Sequence, residues 1–203
     1  MIGSLRGVLT RKEPPFLVVE VGGIGYEVEA PMSTCFRLPD VGAAIYLCTH
    51  LLVREDQHTL FGFSTEAERR LFRDLLKVSG VGAKTALGVL SGMTVEAFIR
   101  AVETEDVGSL VRMPGIGRKT AERLIIEMRD RVRHPGLVAG LAGTGDGRPG
   151  APAEPRAEAL DALVALGYKA PEGRRMLDRV PETVTSTEDL LRAVLRSAAM
   201  AKQ

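Results

Sequence analysis

Two copies of one short pattern, 35 residues apart, contain the residues best suited to bind a charged ligand. Residues 78–86 read VSGVGAKTA and residues 113–121 read MPGIGRKTA. Each copy predicts a helix, a tight Gly-X-Gly turn and a second helix. Because the first amides of a helix lack partners inside it and carry part of a positive charge, such a turn binds anions through its backbone. Lys84 and Lys119 follow the two turns and add side-chain charge.

The pattern matches the helix-hairpin-helix motif, and the second copy, in which Pro114 precedes the first glycine, is the closer match. A plain alternative is a helix–helix corner that needs glycine only for its shape. Because both copies share their hydrophobic, Gly, Lys, Thr and Ala positions, we favour contact with nucleic-acid phosphates. Such contacts do not read bases, so the predicted binding is sequence-independent and weakens with salt. The predicted contact residues are Ser79, Gly80, Val81, Gly82, Lys84, Thr85, Gly115, Ile116, Gly117, Arg118, Lys119, Thr120 and Arg123.

A nucleotide-binding loop is another explanation for these glycines. Residues 82–85 and 117–120 resemble fragments of a P-loop, but that loop needs Gly directly before Lys. This chain has Ala83 and Arg118 there instead. The fingerprint of dinucleotide-binding proteins is absent too, because its third glycine is missing. We therefore predict no ATP binding and no cofactor.

Charge places the predicted contact in the middle of the chain. The protein has 27 Lys and Arg against 26 Asp and Glu, a net charge of +1. That excess is too small for non-specific coating of nucleic acid, so any contact must be local. Residues 65–133 hold 13 basic and 10 acidic residues, which puts the positive excess around the two turns.

The elements that position the turns begin with strands in residues 1–64. Residues 16–21 are apolar and β-branched, and residues 24–30 alternate between apolar and polar side chains after a Gly-Gly turn. Residues 43–53 and 59–63 predict further strands. About five short strands favour a small closed barrel of the OB type.

Most of the aromatic residues lie in this predicted barrel. OB barrels often stack bases on aromatic side chains, but residues 1–64 are net acidic. Phe61 and Phe63 fall on one face of a predicted strand. We therefore predict that they belong to the core of the barrel.

The acidic pair Glu55 and Asp56 falls at the tip of a predicted hairpin. Most such pairs are solvated turns. A metal-dependent nuclease assisted by His50 or His58 is weakly supported, because two-metal sites need carboxylates from several elements. A third interpretation is electrostatic: the tip repels phosphates, by only ~1 kcal/mol for one charge pair in water and by more where several copies gather. No metal site is predicted, and the histidines receive no role.

Residues 65–133 predict the helices that carry both turns. Thr65 and Glu68 form a capping-box pattern before the first helix, and Thr94 is a second predicted cap. The longest predicted helix opens at Gly117.

The rest of the chain predicts a linker and a small domain. Residues 134–155 are rich in Gly and Pro and predict a flexible linker. Residues 156–203 predict three short helices, and most of their apolar side chains must form a core because a domain this small needs nearly all of them. A tethered domain also suits the capture of a partner. The predicted partner contacts are Leu163, Leu166 and Tyr168.

Location follows from what the sequence lacks. The chain opens without the apolar run of a signal peptide, and no run approaches the ~18–20 apolar residues of a membrane span. Cys35 and Cys48 are the only cysteines. We predict a cytoplasmic protein with reduced thiols and no membrane contact.

Motifs along nearly the whole chain resemble the RuvA family of bacterial proteins that bind Holliday junctions. The linker matches no pattern of that family, and the longest match is the segment around the second turn. The matching segments are residues 1–3 (MIG), 5–7 (LRG), 20–28 (EVGGIGYEV), 53–56 (VRED), 90–93 (LSGM), 110–124 (LVRMPGIGRKTAERL) and 163–169 (LVALGYK).

The resemblance implies a tetramer, alone or as paired tetramers, that holds a four-way DNA junction open and nearly planar. It implies an OB-like first domain, a helix-hairpin-helix second domain and a mobile, UBA-like third domain. It implies that Glu55 and Asp56 form an acidic pin at the junction centre. It also implies that the third domain binds RuvB, a hexameric ATPase, and that RuvC, a resolving nuclease, shares the junction. The chain itself would then catalyse no covalent chemistry.

Two other classes of function remain open at this point. One is a helix-hairpin-helix glycosylase or nuclease, for which Asp130 is the candidate acid beyond the second turn. Asp130 lies in the charged run 127–131, which is typical of a solvated helix face. The other is a scaffold that binds only proteins.

Overall fold

The computed structural model describes residues 1–132, 155–168, 170–181, 184 and 186–200. The side chains of residues 130, 161, 165, 170 and 198–200 are excepted, so the candidate acid Asp130 lies outside the described side chains. The predicted linker as far as residue 154 also lies outside the described residues, as does His134. The chain divides into two compact units, Met1–Gly145 and Asp146–Gln203.

The first unit begins with a closed barrel, which confirms the predicted OB type. Its five strands follow the order β1-β2-β3-β5-β4 around the barrel. A short helix, α1, joins β3 to β4 and was not expected from the sequence. The elements are β1 (Ser4–Glu13), β2 (Phe16–Val21), β3 (Ile24–Glu29), α1 (Met32–Arg37), β4 (Ala44–Val53) and β5 (His58–Phe63).

Alternation along the strands fills the barrel from one face. Leu9, Leu17 and Leu47 are fully buried in this interior cluster. On β5, Leu60 packs into the same interior. The remaining interior residues include Leu5, Val19, Val28, Ile45 and Cys35.

Within residues 65–132 the structure describes five helices, and the two predicted turns lie between α2 and α3 and between α5 and α6. The helices pack together and against the outer wall of the barrel in one hydrophobic cluster. The helices are α2 (Glu66–Leu75), α3 (Ala83–Gly92), α4 (Val95–Glu103), α5 (Val107–Val111) and α6 (Arg118–Val132).

The prediction that Phe61 and Phe63 belong to the barrel core is wrong. Both are buried, but they pack outside the barrel, with ring centroids 4.9 Å from that of Phe72 on α2. Period-2 alternation explains the result, because Leu60 takes the inner face of β5 and its neighbour Phe61 the outer one. The aromatic pair therefore joins the barrel to the helices.

Helix α2 is anchored by the predicted capping box. The Glu68 amide donates to Thr65 Oγ1 at 3.2 Å, and the Thr65 amide donates to Glu68 Oε2 at 3.3 Å. Glu68 is only 5% exposed and also accepts from the hydroxyls of Ser33, Thr34 and Ser64. The same carboxylate thus starts α2 and ties it to α1 and to the end of β5.

The second unit contains three described helices, as predicted: α7 (Pro155–Ala165), α8 (Ala170–Leu177) and α9 (Thr187–Met200). Its core includes Leu163, Leu177 and Leu190. Among the described helices, no single one is long and apolar enough to cross a membrane. The bent pair α3 and α4, at 98°, passes that test only in combination, and both helices contribute to the buried cluster.

Candidate nucleic-acid interface

The two Gly-X-Gly turns share one backbone conformation. The Val81 amide donates to the Val78 carbonyl at 3.1 Å, and the Ile116 amide donates to the Met113 carbonyl at the same distance. The helix that follows starts alike in both copies, with amide-to-carbonyl distances of 2.9 Å from Ala86 to Gly82 and from Ala121 to Gly117. The repeated sequence therefore builds one structure twice.

The first glycine of each turn is required by its backbone. Gly80 has φ +84° and Gly115 has φ +79°. Only glycine adopts this left-handed region without strain.

The second glycine of each turn is not required by the fold. Gly82 has φ −94°, which any residue adopts, and Gly117 is not among the residues with positive φ. A Cβ added at Gly82 or at Gly117 would meet nothing within 4 Å. Neither conformation nor packing within the described residues explains these two glycines, so the space beside them is open to a ligand.

The helices behind the two turns start without a side-chain cap. Gly82, the residue before α3, makes no side-chain cap hydrogen bond, and Gly117, the residue before α6, has no side chain to make one. The first amides of both helices, in residues 83–85 and 118–120, therefore point out of the helix end. Amides at an uncapped helix start are in general able to bind anions such as phosphate.

The other helices of this region are capped by side chains. Thr65, Thr94 and Asp106 accept from the amides of Glu68, Ala97 and Ser109 at 3.2, 3.2 and 3.0 Å. The hydrogen bond from the Ser109 side chain holds the pKa of Asp106 below its ordinary value, so this cap stays ionised at neutral pH. The prediction of Thr94 as a cap is confirmed.

Exposure separates side-chain contacts from backbone contacts among the predicted residues. Val81 and Ile116 are buried, at 6% and 5% exposure, so their side chains anchor the turns and only their backbone is available. Thr85 and Thr120 are half-buried. The remaining predicted residues are exposed: Ser79, Gly80, Gly82, Lys84, Gly115, Gly117, Arg118, Lys119 and Arg123.

Two of the exposed cations already have partners. Arg118 Nε donates to Glu122 Oε1 at 3.0 Å within α6. Arg123 donates to Ser79 in the other hairpin, a contact that sequence reasoning missed because it joins residues 44 apart. The only sign of this contact in the sequence was that the first copy has Ser79 where the second copy has Pro114.

The acidic pair lies where the sequence predicted, at the tip between β4 and β5. The Arg54 amide donates to the Gln57 carbonyl at 2.9 Å and closes the turn, and both Glu55 and Asp56 are exposed. A cleft of about 300 Å³ separates the base of this hairpin from the first Gly-X-Gly turn, with Lys84 on its far side. Arg54 and Gln57, which flank the acidic pair, therefore line the same opening as the start of α3.

The predicted partner contacts in the second unit divide by exposure. Leu163 is fully buried in the core, so its side chain cannot meet a partner while the unit stays folded. Leu166 is 62% exposed and Tyr168 is half-buried. Gly167, with φ +97°, turns the chain between them. Leu166 and Tyr168 alone keep the predicted role.

Comparison with known proteins covers nearly all of the chain. Family models match in three places: "RuvA N terminal domain" over residues 1–62, "SAM-like Helix-hairpin-helix tandem" over residues 72–130 and "RuvA, C-terminal domain" over residues 154–199. These matches agree with the barrel, the paired turns and the three-helix unit described above.

Relatives of similar length carry one name, "Holliday junction branch migration complex subunit RuvA". The protein from Thioalkalivibrio sulfidiphilus is 54% identical over 201 residues, which covers 97% of this chain and 98% of that protein. The protein from Methylococcus capsulatus is 52% identical, covering 98% and 99%. The protein from Shigella flexneri serotype 5b is 49% identical, covering 98% and 100%. With this identity over almost its full length, and with the resemblance found in its motifs confirmed, the chain belongs to the RuvA family.

Proposed function

We propose that this chain binds four-way (Holliday) DNA junctions by shape, as the non-catalytic DNA-binding subunit of a branch migration complex in recombination and repair. The observation that carries the proposal is the pair of glycines, Gly82 and Gly117, that neither backbone nor packing requires. Each leaves an uncapped helix start open to a phosphate. The name shared by the relatives supplies the kind of DNA.

The grip comes mainly from the backbone. Amides in residues 83–85 and 118–120 bind phosphate oxygens of one duplex arm, and Lys84 and Lys119 add charge beside them. Because these contacts go to the sugar-phosphate backbone, they hold any sequence and lose strength as salt rises.

The acidic tip acts by repulsion. Glu55 and Asp56 are exposed, and their neighbours Arg54 and Gln57 line the cleft that also borders the first turn. One charge pair is worth only ~1 kcal/mol in water, so the effect needs several tips at the same point. A tetramer, alone or paired with a second, gathers four tips at the crossover, where they repel phosphates and guide strands apart.

The second unit recruits the motor. Leu166 and Tyr168 are apolar, accessible side chains at one turn and form the docking point for a RuvB-type hexameric ATPase. That ATPase supplies the energy of migration, and a RuvC-type resolvase acts on the same junction. The complex works in the cytoplasm. In this proposal residues 1–64 form the barrel with the acidic tip and residues 65–133 bind the DNA. Residues 134–155 are the linker, and residues 156–203 bind the ATPase.

A binding comparison tests the proposal. Purified full-length chain is titrated into a four-way junction and into linear duplexes with the same arm sequences, with a second junction of unrelated sequence as the specificity control. We expect clear preference for both junctions over linear DNA. Equal binding of junction and linear DNA contradicts the proposal. The same samples with Mg²⁺ test the enzyme alternative, since strand cleavage or base release would favour it.

A double substitution tests the acidic tip. Replacing Glu55 by Gln and Asp56 by Asn should leave junction binding intact or tighter while strand separation or migration rate changes. The control removes the same charge from two exposed positions elsewhere, Glu13→Gln with Asp40→Asn. Loss of binding in the tip variant alone would show that the pair serves the fold.

A further inference from the structure

The two hairpins contact each other at corresponding positions of the repeat. Arg123 on α6 lies eight residues after Gly115, and Gly88 on α3 lies eight residues after Gly80. In each hairpin this position faces the turn of the other hairpin. The residue types differ, however: Arg123 has a long charged side chain and Gly88 has no side chain.

On one side, Arg123 reaches the first turn through a hydrogen-bonded side chain. Its Nη1 donates to the Ser79 carbonyl at 3.1 Å and to Ser79 Oγ at 3.3 Å. The same Nη1 is 3.7 Å from the position that a Cβ on Gly80 would occupy. The guanidinium therefore lies directly against the turn that precedes α3.

On the other side, the backbones approach without a bridging side chain. A Cβ on Gly88 would lie 3.4 Å from the Pro114 carbonyl oxygen, which is ordinary contact. A Cβ on Gly115 would lie 3.8 Å from Thr85 Oγ1. The second turn thus contacts the backbone position of Gly88 on α3 directly, whereas the first turn contacts α6 through the Arg123 side chain.

We infer that Arg123 is a positioning residue, which fixes the first turn relative to the second so that both sets of amides meet one duplex arm together. The inference rests on the proposed function. It also accounts for the departure from proline in the first copy, because Ser79 offers a hydroxyl to Arg123 where proline offers none. Two anion sites bind a rigid backbone together only if their separation is held.

A lone phosphate contact would not require this geometry. A cation that contacts phosphate through its charge alone can be a lysine, which binds phosphate as a point charge. Here the single nitrogen Nη1 makes both hydrogen bonds to Ser79, at the end of a side chain one bond longer than that of lysine, so lysine at this position falls short of the two acceptors. Conservative substitution therefore separates the two roles.

The first experiment uses the full-length chain without DNA. Amide hydrogen exchange is measured at Val81, whose amide donates to the Val78 carbonyl, in the wild type, in Arg123→Lys and in Arg123→Gln, with Arg118→Gln as a control that removes a charge from the same helix. We expect exchange at the first turn to speed up several-fold in both Arg123 variants and not in the control. Unchanged exchange at the first turn in both variants would overturn the inference.

The second experiment measures junction affinity in a double-mutant cycle. Arg123→Lys should weaken binding as much as Arg123→Gln, by roughly three- to tenfold, and Ser79→Ala should weaken the wild type but add nothing to Arg123→Gln. Wild-type affinity in Arg123→Lys, with multiplicative losses in the double variant, would show a phosphate contact instead. If the wild type itself fails to prefer junctions, the proposed function falls and the exchange result alone decides the positioning role.

Discussion

Helices α2, α4 and α5 start in one way and helices α3 and α6 in another. The first group begins at Thr65, Thr94 and Asp106, each of which accepts a hydrogen bond from an amide of its own first turn. The second group begins at Gly82 and Gly117, which have no side chain to offer. Every helix start has unpaired amides. In the first group a capping side chain accepts a hydrogen bond from one of these amides, whereas in the second group the amides stay available to a ligand. On the function proposed above, the difference separates helices that hold the fold from helices that bind DNA.

The most severe test adds a cap where there is none. Gly117→Asp should lower junction affinity at least tenfold, because the carboxylate occupies the amides and repels phosphate, and one lost charge-assisted hydrogen bond is worth about 1.5–3 kcal/mol. The free protein should be as stable as wild type or more so, by up to about 1 kcal/mol, since the position is sterically open and an acidic cap suits a helix start. Fluorescence anisotropy and thermal melting check both.

The matched control is Thr94→Asp, which adds the same charge at a helix start that already has a cap. Its junction affinity should stay close to that of the wild type. If Gly117→Asp also binds like the wild type, the open helix starts are not the phosphate sites.

Reversing a side-chain charge should have a smaller effect than closing the backbone site. Lys119→Glu should weaken binding several-fold on every junction sequence and lower the salt slope, because each lost phosphate contact reduces it by about 0.9. The measurement is affinity across a salt series. Unchanged affinity at moderate salt would count against the role of Lys119.

Removing a cap from the other group should affect the fold alone. Thr65→Ala should lower the free energy of unfolding by about 1–2 kcal/mol, because it leaves the Glu68 amide without its partner. Junction affinity of the folded protein should not change. Urea denaturation checks the first expectation, and Thr65→Ser, which keeps the hydroxyl, is the control. A loss of affinity without loss of stability would erase the distinction between the two groups.

The smallest expected effect concerns His50 on β4, where the barrel packs against α2. Burial, together with Arg73 and Arg69, lowers the pKa of His50, whose Nδ1 accepts from Arg73 Nε at 3.3 Å. The unfolded chain then binds the proton more readily, so stability should be full above the ordinary histidine pKa of ~6.5 and fall as pH drops through it. Unfolding from pH 8 to pH 5 measures this.

Substitution assigns that pH dependence to one residue. His50→Gln keeps an acceptor for Arg73 and should flatten the curve, whereas exposed His58→Gln should not. Equal slopes in the two variants would rule out His50 as the source.

Local features were predictable from the sequence because they depend on neighbours in the chain. The capping box at Thr65, the turns at Gly80 and Gly115 and the tip at Glu55 each follow from spacing over a few residues. Features set by distant contacts were not. Alternation showed that Phe61 and Phe63 share a face but not that α2 covers it. The sequence predicted that Leu163 contacts a partner, but the packing of its helix buries it in the core.

The sequence predicted which residues belong to the site. It did not predict which of them the fold itself requires and which it leaves open to a ligand. The pattern named both Gly80 and Gly82, yet only φ values and steric space show that the fold needs the first and not the second. The contact between Arg123 and Ser79 joins two copies of the repeat, and no spacing rule foresees it.

The distance between DNA phosphates and the amides behind the two turns tests the central claim most directly. In a structure of the full chain bound to a four-way junction, we predict phosphate oxygens within about 3.2 Å of amide nitrogens in residues 83–85 and 118–120, and none at the capped starts of α2, α4 and α5. A complex in which both turns face away from the DNA, or in which phosphates contact only lysine and arginine side chains, would contradict the account.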